Sequence, residues 1–278
     1  MDVGVVGVGR MGRPLVERLA SAGHRVLACV RRLGHGRPVA QGLVRWVDDL
    51  SAVAASLDVV FIVVQTDEQV RQVCLGAGGA IAHMAPGSTL VQHTTCDPDT
   101  VLELARCGAA RGVSVLDAAL SGGPHDIVRG ALTLWVGADE ERELERRRAL
   151  LSAYASPVTY VGPVGHGQRV KLVNNALFVA QVGLAIDALR VGQELGISPE
   201  CLLGALPQGS AASRALQVVA RGGSVQQVAE RVGELMRKDV NMVREVAASA
   251  KAELGILGVV LESEAVERWV LGLRTGQS

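Results

Sequence analysis

The stretch Val3-Gly4-Val5-Val6-Gly7-Val8-Gly9-Arg10-Met11-Gly12 decides the fold. Its apolar start predicts a short buried strand, and the glycines match the strand-to-helix turn of a dinucleotide-binding βαβ unit. One glycine permits the tight turn, a second lets the backbone approach a pyrophosphate, and a third allows the helix to pack closely. Because a helix N-terminus favours anions, the predicted phosphate-binding residues are Gly7, Val8, Gly9, Arg10, Met11 and Gly12.

The residues after the glycine turn complete the unit. Pro14 fits the first turn of a helix, Leu15 and Leu19 repeat at helical spacing, and Gly23 suits a left-handed C-terminal cap. A second strand is predicted directly afterwards, from Arg25 to Val30. The glycine motif therefore has the sequence context that dinucleotide binding requires.

The end of the second strand predicts which dinucleotide is bound. NAD-binding folds usually place an acidic side chain there for the ribose 2′-hydroxyl, but this chain has Val30-Arg31-Arg32. A guanidinium can donate two hydrogen bonds to a 2′-phosphate and stack on adenine. The sequence thus predicts that Val30, Arg31 and Arg32 contact the cofactor and that NADP(H) is preferred over NAD(H); an ordinary solvated arginine loop is the alternative.

Composition excludes several classes of function. The chain has 278 residues, 49% of them hydrophobic, and its 28 basic and 28 acidic residues give a formal net charge of zero. Neither nucleic acid nor a membrane is therefore an expected partner, and with no predicted signal peptide or membrane span a cytoplasmic location is expected. The five cysteines and six histidines are scattered, so neither a disulfide framework nor a metal site is predicted.

The first part of the chain alternates β-rich and helical runs, which predicts a mostly parallel sheet covered on both faces. The predicted strands are Val3 to Val6, Arg25 to Val30, Val59 to Val64, Thr89 to Gln92, Val113 to Leu116, Leu132 to Val136 and Val158 to Val161. A Gly/Pro cluster around Pro163 ends the alternation. Residues 1–163 are therefore predicted to form the nucleotide-binding domain.

Helical patterns fill the rest of the chain, residues 164–278. A long helix is predicted from Arg169 to Leu195 with Gly196 as its stop, and Ser198-Pro199 should begin the next one. Further helices are predicted for Ser224 to Arg237, Val240 to Leu254 and Val259 to Leu273. The fold class is thus a Rossmann-type α/β domain followed by an all-α domain, joined by a long interdomain helix. Ligands favour domain seams, and abundant apolar helix faces predict a homodimer or homotetramer.

Two later segments combine residues suited to catalysis. In Asp117-Ala118-Ala119-Leu120-Ser121-Gly122-Gly123, two glycines can direct backbone N–H groups at an anion such as a carboxylate, and Ser121 adds a hydroxyl. In the segment from Gly165 to Asn175, Lys171 and Asn175 are four residues apart, so on a helix their directions differ by roughly 40°. A partly desolvated lysine can exchange a proton near neutral pH.

With the glycine fingerprint, these segments resemble the β-hydroxyacid dehydrogenases, the family of 3-hydroxyisobutyrate dehydrogenase and tartronate semialdehyde reductase, over nearly the whole chain. The resemblance implies that Lys171 is the general acid/base, that Asn175 holds the substrate and that Ser121, Gly122 and Gly123 bind its carboxylate. It also implies cofactor contacts from Gln65, Thr66, Thr95 and the Lys238 of Arg237-Lys238-Asp239.

The substrate segment departs from the family pattern. Ala119 replaces a usual proline, and Pro124-His125-Asp126 and Arg129 replace small and acidic residues. The sequence therefore predicts an NADP-dependent oxidoreductase that moves a hydride between the nicotinamide and a small β-hydroxy acid or its semialdehyde. The alternatives are an NADPH-dependent imine reductase, which usually has aspartate or tyrosine in place of Lys171, and a non-catalytic NADP-binding regulator.

Overall fold

The structure is a computed structural model of the chain. It describes residues 1–30, 42–49, 51, 54–221 and 225–270, and for residues 225–235 and 268–270 it describes the backbone alone. The chain divides into two compact units, residues 1–171 and residues 172–278. The sequence predicts a boundary slightly earlier, between residues 163 and 164.

Unit 1 is built on one sheet with eight strands among the described residues. The strands are β1 (Asp2–Val6), β2 (Arg25–Cys29), β3 (Val44–Val47), β4 (Val59–Ile62), β5 (Thr89–Gln92), β6 (Ser114–Ser121), β7 (Leu132–Gly137) and β8 (Ala155–Gly162). Their order is β3-β2-β1-β4-β5-β6-β7-β8, parallel from β3 to β6, with β7 antiparallel to β6 and β8 parallel to β7. The first six strands have the Rossmann order, so the predicted fold class is confirmed.

Most strand ends lie within two residues of the prediction, β4 for example ending at Ile62 instead of Val64, but three strands differ more. β3 was not predicted, because this short strand pairs only with β2 at the edge of the sheet and exposes Arg45. β6 continues beyond Leu116 to Ser121, where it pairs with the antiparallel β7. β8 begins at Ala155, before the predicted Val158. Pairing with a neighbouring strand, which leaves no local pattern, sets the ends of β6 and β8.

Helices cover both faces of the sheet. They are α1 (Gly12–Ser21), α2 (Asp67–Leu75), α3 (Ala80–His83), α4 (Pro98–Ala109), α5 (Pro124–Val128) and α6 (Glu141–Leu151). In β4, Val59 and Phe61 pack into one core cluster and Val60 and Ile62 into a second, and all four are fully buried. The near-continuous apolar run thus forms a strand buried on both faces, as parallel sheets require.

Unit 2 is helical, and α7 enters it from unit 1. Its helices are α7 (His166–Glu194), α8 (Pro199–Ala205), α9 (Arg214–Arg221), α10 (Val225–Ser249) and α11 (Gly255–Leu261), followed by a π-helical turn, Ala265–Val270. Gly196 has a φ of +80° just beyond α7. The Ser198 hydroxyl accepts a hydrogen bond from the N–H of Cys201 at 3.2 Å and so caps α8. Both helix boundaries lie where the sequence predicts them.

The predicted division of the last helices was wrong. Most of the two helices predicted for 224–237 and 240–254 forms the single helix α10, which passes through Lys238 and Asp239 without a break and ends at Ser249, before the predicted Leu254. Neither glycine nor proline stands at this junction, and the buried Asp239 has a side-chain partner within the unit. The pattern predicted for 259–273 covers part of α11 and the π-helical turn, with the end of the range outside the described residues.

Helix α7 is long and apolar enough to span a bilayer, judged by length and composition alone. Half of its most apolar stretch is buried within the protein. A core helix of a soluble protein has the same properties, so α7 is weak evidence for a membrane segment.

Candidate active site

The turn between β1 and α1 has the geometry that the glycine motif predicts. Gly7 has a φ of +96°, and a Cβ on it would lie 2.3 Å from the carbonyl oxygen of Val63. A Cβ on Gly12 would lie 2.1 Å from the carbonyl oxygen of Gly7. Both positions therefore require glycine for backbone packing. A Cβ on Gly9 would meet nothing within 4 Å, so this side of the turn is open to a ligand.

The N-terminus of α1 carries no negative charge of its own. Its first turn has no acidic residue, and Met11 at the N-cap makes no side-chain capping hydrogen bond. The N–H groups of a first helical turn need acceptors and favour an anion. Val8 packs against the core and Arg10 is exposed. The turn thus fits the pyrophosphate of a dinucleotide.

The end of β2 is described only as far as Val30, whose N–H donates to the carbonyl oxygen of Val47 at 2.9 Å. Arg31 and Arg32 lie outside the described residues. The preference for NADP(H) that rests on them stays a prediction.

The loops after β4 and β5 leave the sheet at the same edge as the glycine turn. Gln65 and Thr66 follow β4, and the Thr66 hydroxyl caps α2. The Thr94 hydroxyl accepts a hydrogen bond from the N–H of Val64 and donates one to its carbonyl oxygen, both at 3.0 Å. This pair of bonds joins the two loops and places Thr95 beside the Gln65 loop. Parallel α/β sheets bind dinucleotides at this edge.

The predicted substrate loop already contains a carboxylate. Ser121 ends β6, and Gly123 is the N-cap of the short helix α5. The N–H of Gly123 donates to Oδ2 of Asp126 at 2.8 Å, and Asp126 is buried. One of the N–H groups predicted to bind a substrate carboxylate therefore has an acceptor from the chain itself.

Two basic side chains also contact Asp126. Arg129 donates to its Oδ1 at 2.8 Å, and Nε2 of His125 lies 3.2 Å from its Oδ2. Burial by itself raises the pKa of Asp126, but the hydrogen bonds from Gly123 and Arg129, with the charges of His125 and Arg129, outweigh it and lower the pKa below its usual value. Asp126 is thus an ionised carboxylate beside Ser121 and Gly122.

Lys171 and Asn175 both lie in α7, one helical turn apart. Lys171 is partly buried at the end of unit 1. In unit 2, the buried Asn175 donates from Nδ2 to Oδ2 of the buried Asp239 at 2.5 Å. Nζ of Lys238 lies 3.8 Å from Oδ1 of Asp239. The structure therefore groups Asn175, Lys238 and Asp239 within one unit.

Two buried residues had no predicted role, although both occur in the quoted motifs. Asp117 in β6 accepts hydrogen bonds from Gln168 in the first turn of α7, and Gln168 also binds the backbone of Cys96. These contacts join the Thr95 segment, the strand that leads to Ser121 and the helix of Lys171. The partners are far apart in sequence, so no local pattern could have identified them.

A buried histidine stands beside this network. Nδ1 of His93 donates to the carbonyl oxygen of Ala118 at 2.6 Å, and its Nε2 accepts from the Tyr154 hydroxyl at 2.8 Å. Burial lowers the pKa of His93 to about 4, so the imidazole is neutral at pH 7. Its ring stacks on Phe61 with centroids 5.7 Å apart. His93 thus fixes the end of β5 against β6.

Comparison with known families covers both units. Residues 2–162 match the NAD-binding domain of 6-phosphogluconate dehydrogenase, and residues 165–266 match the NAD-binding domain of NADP-dependent 3-hydroxyisobutyrate dehydrogenase. The chain is 32% identical to the 2-hydroxy-3-oxopropionate reductase of Escherichia coli over 78% of this chain and 74% of that protein. It is 29% identical to the NAD-dependent L-serine dehydrogenase of Pseudomonas aeruginosa over 94% of this chain and 90% of that protein.

Solved structures have the same fold. A 3-hydroxyisobutyrate dehydrogenase of Mycobacterium tuberculosis with L-serine has a TM-score of 0.81 at 23% identity, covering 93% of this chain and 90% of that one. Imine reductases, among them one from Myxococcus stipitatus with a TM-score of 0.67 at 20% identity, share the fold. Since family models match both parts of the chain, the protein belongs to the β-hydroxyacid dehydrogenase family of NAD(P)-dependent oxidoreductases.

Proposed function

We propose that the protein is an NADP(H)-dependent oxidoreductase that transfers a hydride between the nicotinamide and the carbinol carbon of a small β-hydroxy acid, or reduces the corresponding semialdehyde. The observation that carries the proposal is the attachment of α7. Its first turn, which leads to Lys171, is hydrogen-bonded to the strand that ends at Ser121 and to the backbone of Cys96, which follows Thr95. The segments proposed for cofactor, substrate and proton transfer thus belong to one buried network.

Lys171 is proposed as the general acid/base. When bound, NADP(H) supplies or accepts the hydride. In the oxidation direction, Lys171 takes the proton of the substrate hydroxyl while the hydride leaves the same carbon. In the reduction direction, it returns that proton to the developing alkoxide, and its positive charge stabilises the oxygen.

Asn175 is proposed to orient the reacting oxygen. Its amide nitrogen carries two hydrogens, and one of them goes to Asp239. This bond fixes the amide plane, so the second hydrogen has a defined direction. Ser121, Gly122 and Gly123 are proposed to bind the substrate carboxylate, with Gly123 contributing when its bond to Asp126 opens.

The test of Lys171 compares initial NADPH oxidation by the wild type and Lys171→Ala. The substrates are glyoxylate, the succinic, methylmalonic and tartronic semialdehydes, and a cyclic imine. Removal of a general acid should lower turnover by about 10²- to 10⁴-fold and leave NADPH binding unchanged. Lys251→Ala is the matched control, since Lys251 is an exposed lysine in the turn after α10.

The other outcomes identify the alternatives. Turnover of the imine alone would make the protein an imine reductase. Saturable NADPH binding without turnover of any substrate would make it a cofactor-binding regulator. Aldehyde turnover that is equal in the wild type and Lys171→Ala would remove Lys171 from the reaction.

The preference for NADP(H) is supported by the sequence Val30-Arg31-Arg32, which has no carboxylate to repel a 2′-phosphate. The chain resembles relatives of either cofactor type, since the L-serine dehydrogenase is NAD-dependent. We expect NADPH to bind more tightly than NADH, and replacement of both arginines by alanine to abolish the difference. Equal dissociation constants in the wild type would contradict the preference.

A homodimer or homotetramer in the cytoplasm is part of the proposal. Large apolar side chains on α7 are exposed, and three of them recur at seven-residue intervals, Leu177, Leu184 and Val191. Such a stripe suits burial against another helix. Light scattering should give a mass of at least two chains, and Leu184→Glu should lower it. A monomeric wild type would exclude this assembly.

A further inference from the structure

Asp117 and Gln168 form a buried pair that fixes the start of α7. Both side chains are completely buried. Oδ2 of Asp117 accepts from the backbone N–H of Gln168 at 3.0 Å, and Oδ1 accepts from Nε2 of Gln168 at 2.8 Å. The N–H groups of Gly165 and Gly167 also favour the ionised form of the carboxyl group and so act to lower its pKa. The Asp117 carboxylate thus binds both the backbone and the side chain of a residue in the first turn of this helix.

The oxygen of the Gln168 amide also has a hydrogen-bond partner. Its Oε1 accepts from the N–H of Cys96 at 3.1 Å. The amide orientation is therefore fixed, because the oxygen must face the N–H of Cys96 and the nitrogen must face the Asp117 carboxylate. Gln168 thus connects β6 to the loop that contains Thr95.

The backbone of α7 at Gly167 also lies close to the backbone of the sheet. A Cβ on Gly167 would lie 2.3 Å from the carbonyl oxygen of Asp117 and 2.8 Å from that of Trp135. The first turn of α7 therefore packs directly on β6 and β7, and only glycine fits between them. A small rotation of this turn would break the hydrogen bonds of Asp117 and Gln168 together.

Lys171 lies three residues after Gln168 in the same helix, so the two are neighbours on its surface. We propose that Asp117 and Gln168 are positioning residues, which hold the first turn of α7 so that Lys171 has a fixed place relative to Thr95 and Ser121. This inference rests on the proposed role of Lys171. Displacement of a catalytic group by about 1 Å lowers the rate on the order of 10²-fold. Loss of the hydrogen bonds that hold the first turn of α7 could therefore have a measurable effect on kcat.

A helix cap that serves stability alone is the competing explanation. It would lower the melting temperature of a variant without a specific loss of kcat. The experiment must therefore separate kcat from stability and show that any effect passes through Lys171.

The test exchanges the two functional groups. In Asp117→Asn, the new amide nitrogen faces an N–H donor, and a flip of Gln168 would place its nitrogen against the N–H of Cys96. In Gln168→Glu, two carboxylates face each other. In the double variant, the introduced amide at position 117 can accept from the backbone N–H of residue 168 and donate to the introduced carboxylate, which still accepts from Cys96. The exchange restores every bond of the pair with the charge on the other residue.

The readouts are kcat, KM, the dissociation constant for NADPH and the melting temperature, measured with the best aldehyde substrate of the wild type. Each single variant should lose roughly tenfold to hundredfold in kcat with KM and NADPH affinity little changed, and the double variant should recover most of the loss. Arg147→Met is the matched control, since it removes a partly buried hydrogen bond of unit 1 to Thr89, at the end of β5 opposite to the loop of Thr95. It should lower the melting temperature and leave kcat unchanged.

A Lys171→Ala background shows whether the effect passes through the lysine. There, Asp117→Asn should cause no further loss of the residual rate. The inference is overturned if the single variants keep the wild-type kcat, if the double variant is no better than the worse single variant, or if the losses in the Lys171→Ala background multiply. Failure of the proposed function has a separate signature, the undiminished activity of Lys171→Ala itself.

Discussion

The two glycine-rich turns of unit 1, after β1 and after β6, differ in whether the protein itself supplies an anion for their N–H groups. The turn after β1 leaves the N-terminus of α1 without an acidic residue or a side-chain cap, and Gly9 faces open space. The turn after β6 is filled by the protein itself, because Asp126 accepts the N–H of Gly123. Asp117 in β6 likewise supplies a carboxylate to the N-terminus of α7, where it accepts a hydrogen bond from the N–H of Gln168.

The difference shows that glycines alone do not define an anion site. Glycine allows backbone N–H groups to converge, but a carboxylate a few residues away can satisfy them first. The turn after β1 is thus ready for a dinucleotide phosphate. In the turn after β6, a substrate carboxylate would compete with Asp126 for the N–H of Gly123. Three sets of variants would break or sharpen this comparison.

The largest expected effect concerns the free energy of unfolding, which two buried groups near β6, Asp117 and His93, make dependent on pH. Burial raises the pKa of Asp117 from 3.8 to about 6, against hydrogen bonds from Gln168, Gly165 and Gly167. Between about pH 4 and 6, Asp117 therefore keeps a proton in the folded state that it has lost in the unfolded state. The stabilisation that this protonated Asp117 gives the folded state is lost as pH rises through about 6. Burial lowers the pKa of His93 from 6.5 to about 4, so its contribution is lost as pH falls toward 4.

The two dependences oppose each other in the wild type. In Asp117→Asn, the free energy of unfolding should rise with pH between about 4 and 6.5, because Asp117 no longer opposes the effect of the lowered pKa of His93. In His93→Gln, it should fall over the same range because of Asp117. Each change amounts to about 3 kcal/mol, from shifts of roughly two pKa units. Urea unfolding followed by tryptophan fluorescence measures both slopes, and equal slopes in the two variants would contradict this assignment.

The sequence was sufficient for the parts of the fold that depend on local patterns. The glycine spacing, the apolar run of β4 and the Ser198 cap each identify a structure from neighbouring residues, and all are present. The edge strand β3 and the unbroken helix α10 were missed. Edge pairing of β3 and the burial of Asp239 in α10 arise from distant partners.

The candidate site divides along the same line. Asp126 lies three residues after the N-cap Gly123, so the capping-box spacing is a local signal that could have identified its contact. Asp117 and Gln168 are 51 residues apart, and only the packing of α7 on β6 brings them together. Resemblance to a family marks such residues as part of a motif but does not say what they touch.

An acidic residue at α1 would make the first turn resemble the second. Met11→Glu places a carboxylate at the N-terminus where the pyrophosphate is proposed to bind, whereas Met11→Gln has nearly the same shape without charge. We expect Met11→Glu to bind NADPH roughly tenfold to hundredfold more weakly than Met11→Gln, since like charges repel and the helix dipole is already satisfied. Fluorescence titration with NADPH measures both constants. Equal affinities would mean that the phosphates do not approach this helix.

The smallest expected effect comes from removing the Asp126 carboxylate from the glycine turn after β6. Asp126→Ala removes the acceptor from Gly123 and releases Arg129, so a substrate carboxylate gains an N–H donor and a cation. We expect KM for an acidic substrate to fall by about threefold to tenfold, the size of one hydrogen bond, with kcat little changed. The uncharged amide of the same substrate should not benefit.

Asp126→Asn separates occupancy of the N–H from charge. An asparagine oxygen can still accept from Gly123, so this variant should stay near the wild-type KM if occupancy limits binding, and it should match Asp126→Ala if repulsion between carboxylates does. Loss of the cap should lower the stability of Asp126→Ala by about 1 kcal/mol, which a melting curve measures separately from KM. An unchanged or higher KM for the acid in Asp126→Ala would mean that the substrate carboxylate binds away from Gly123. The resemblance between the two glycine turns would then end at their backbone.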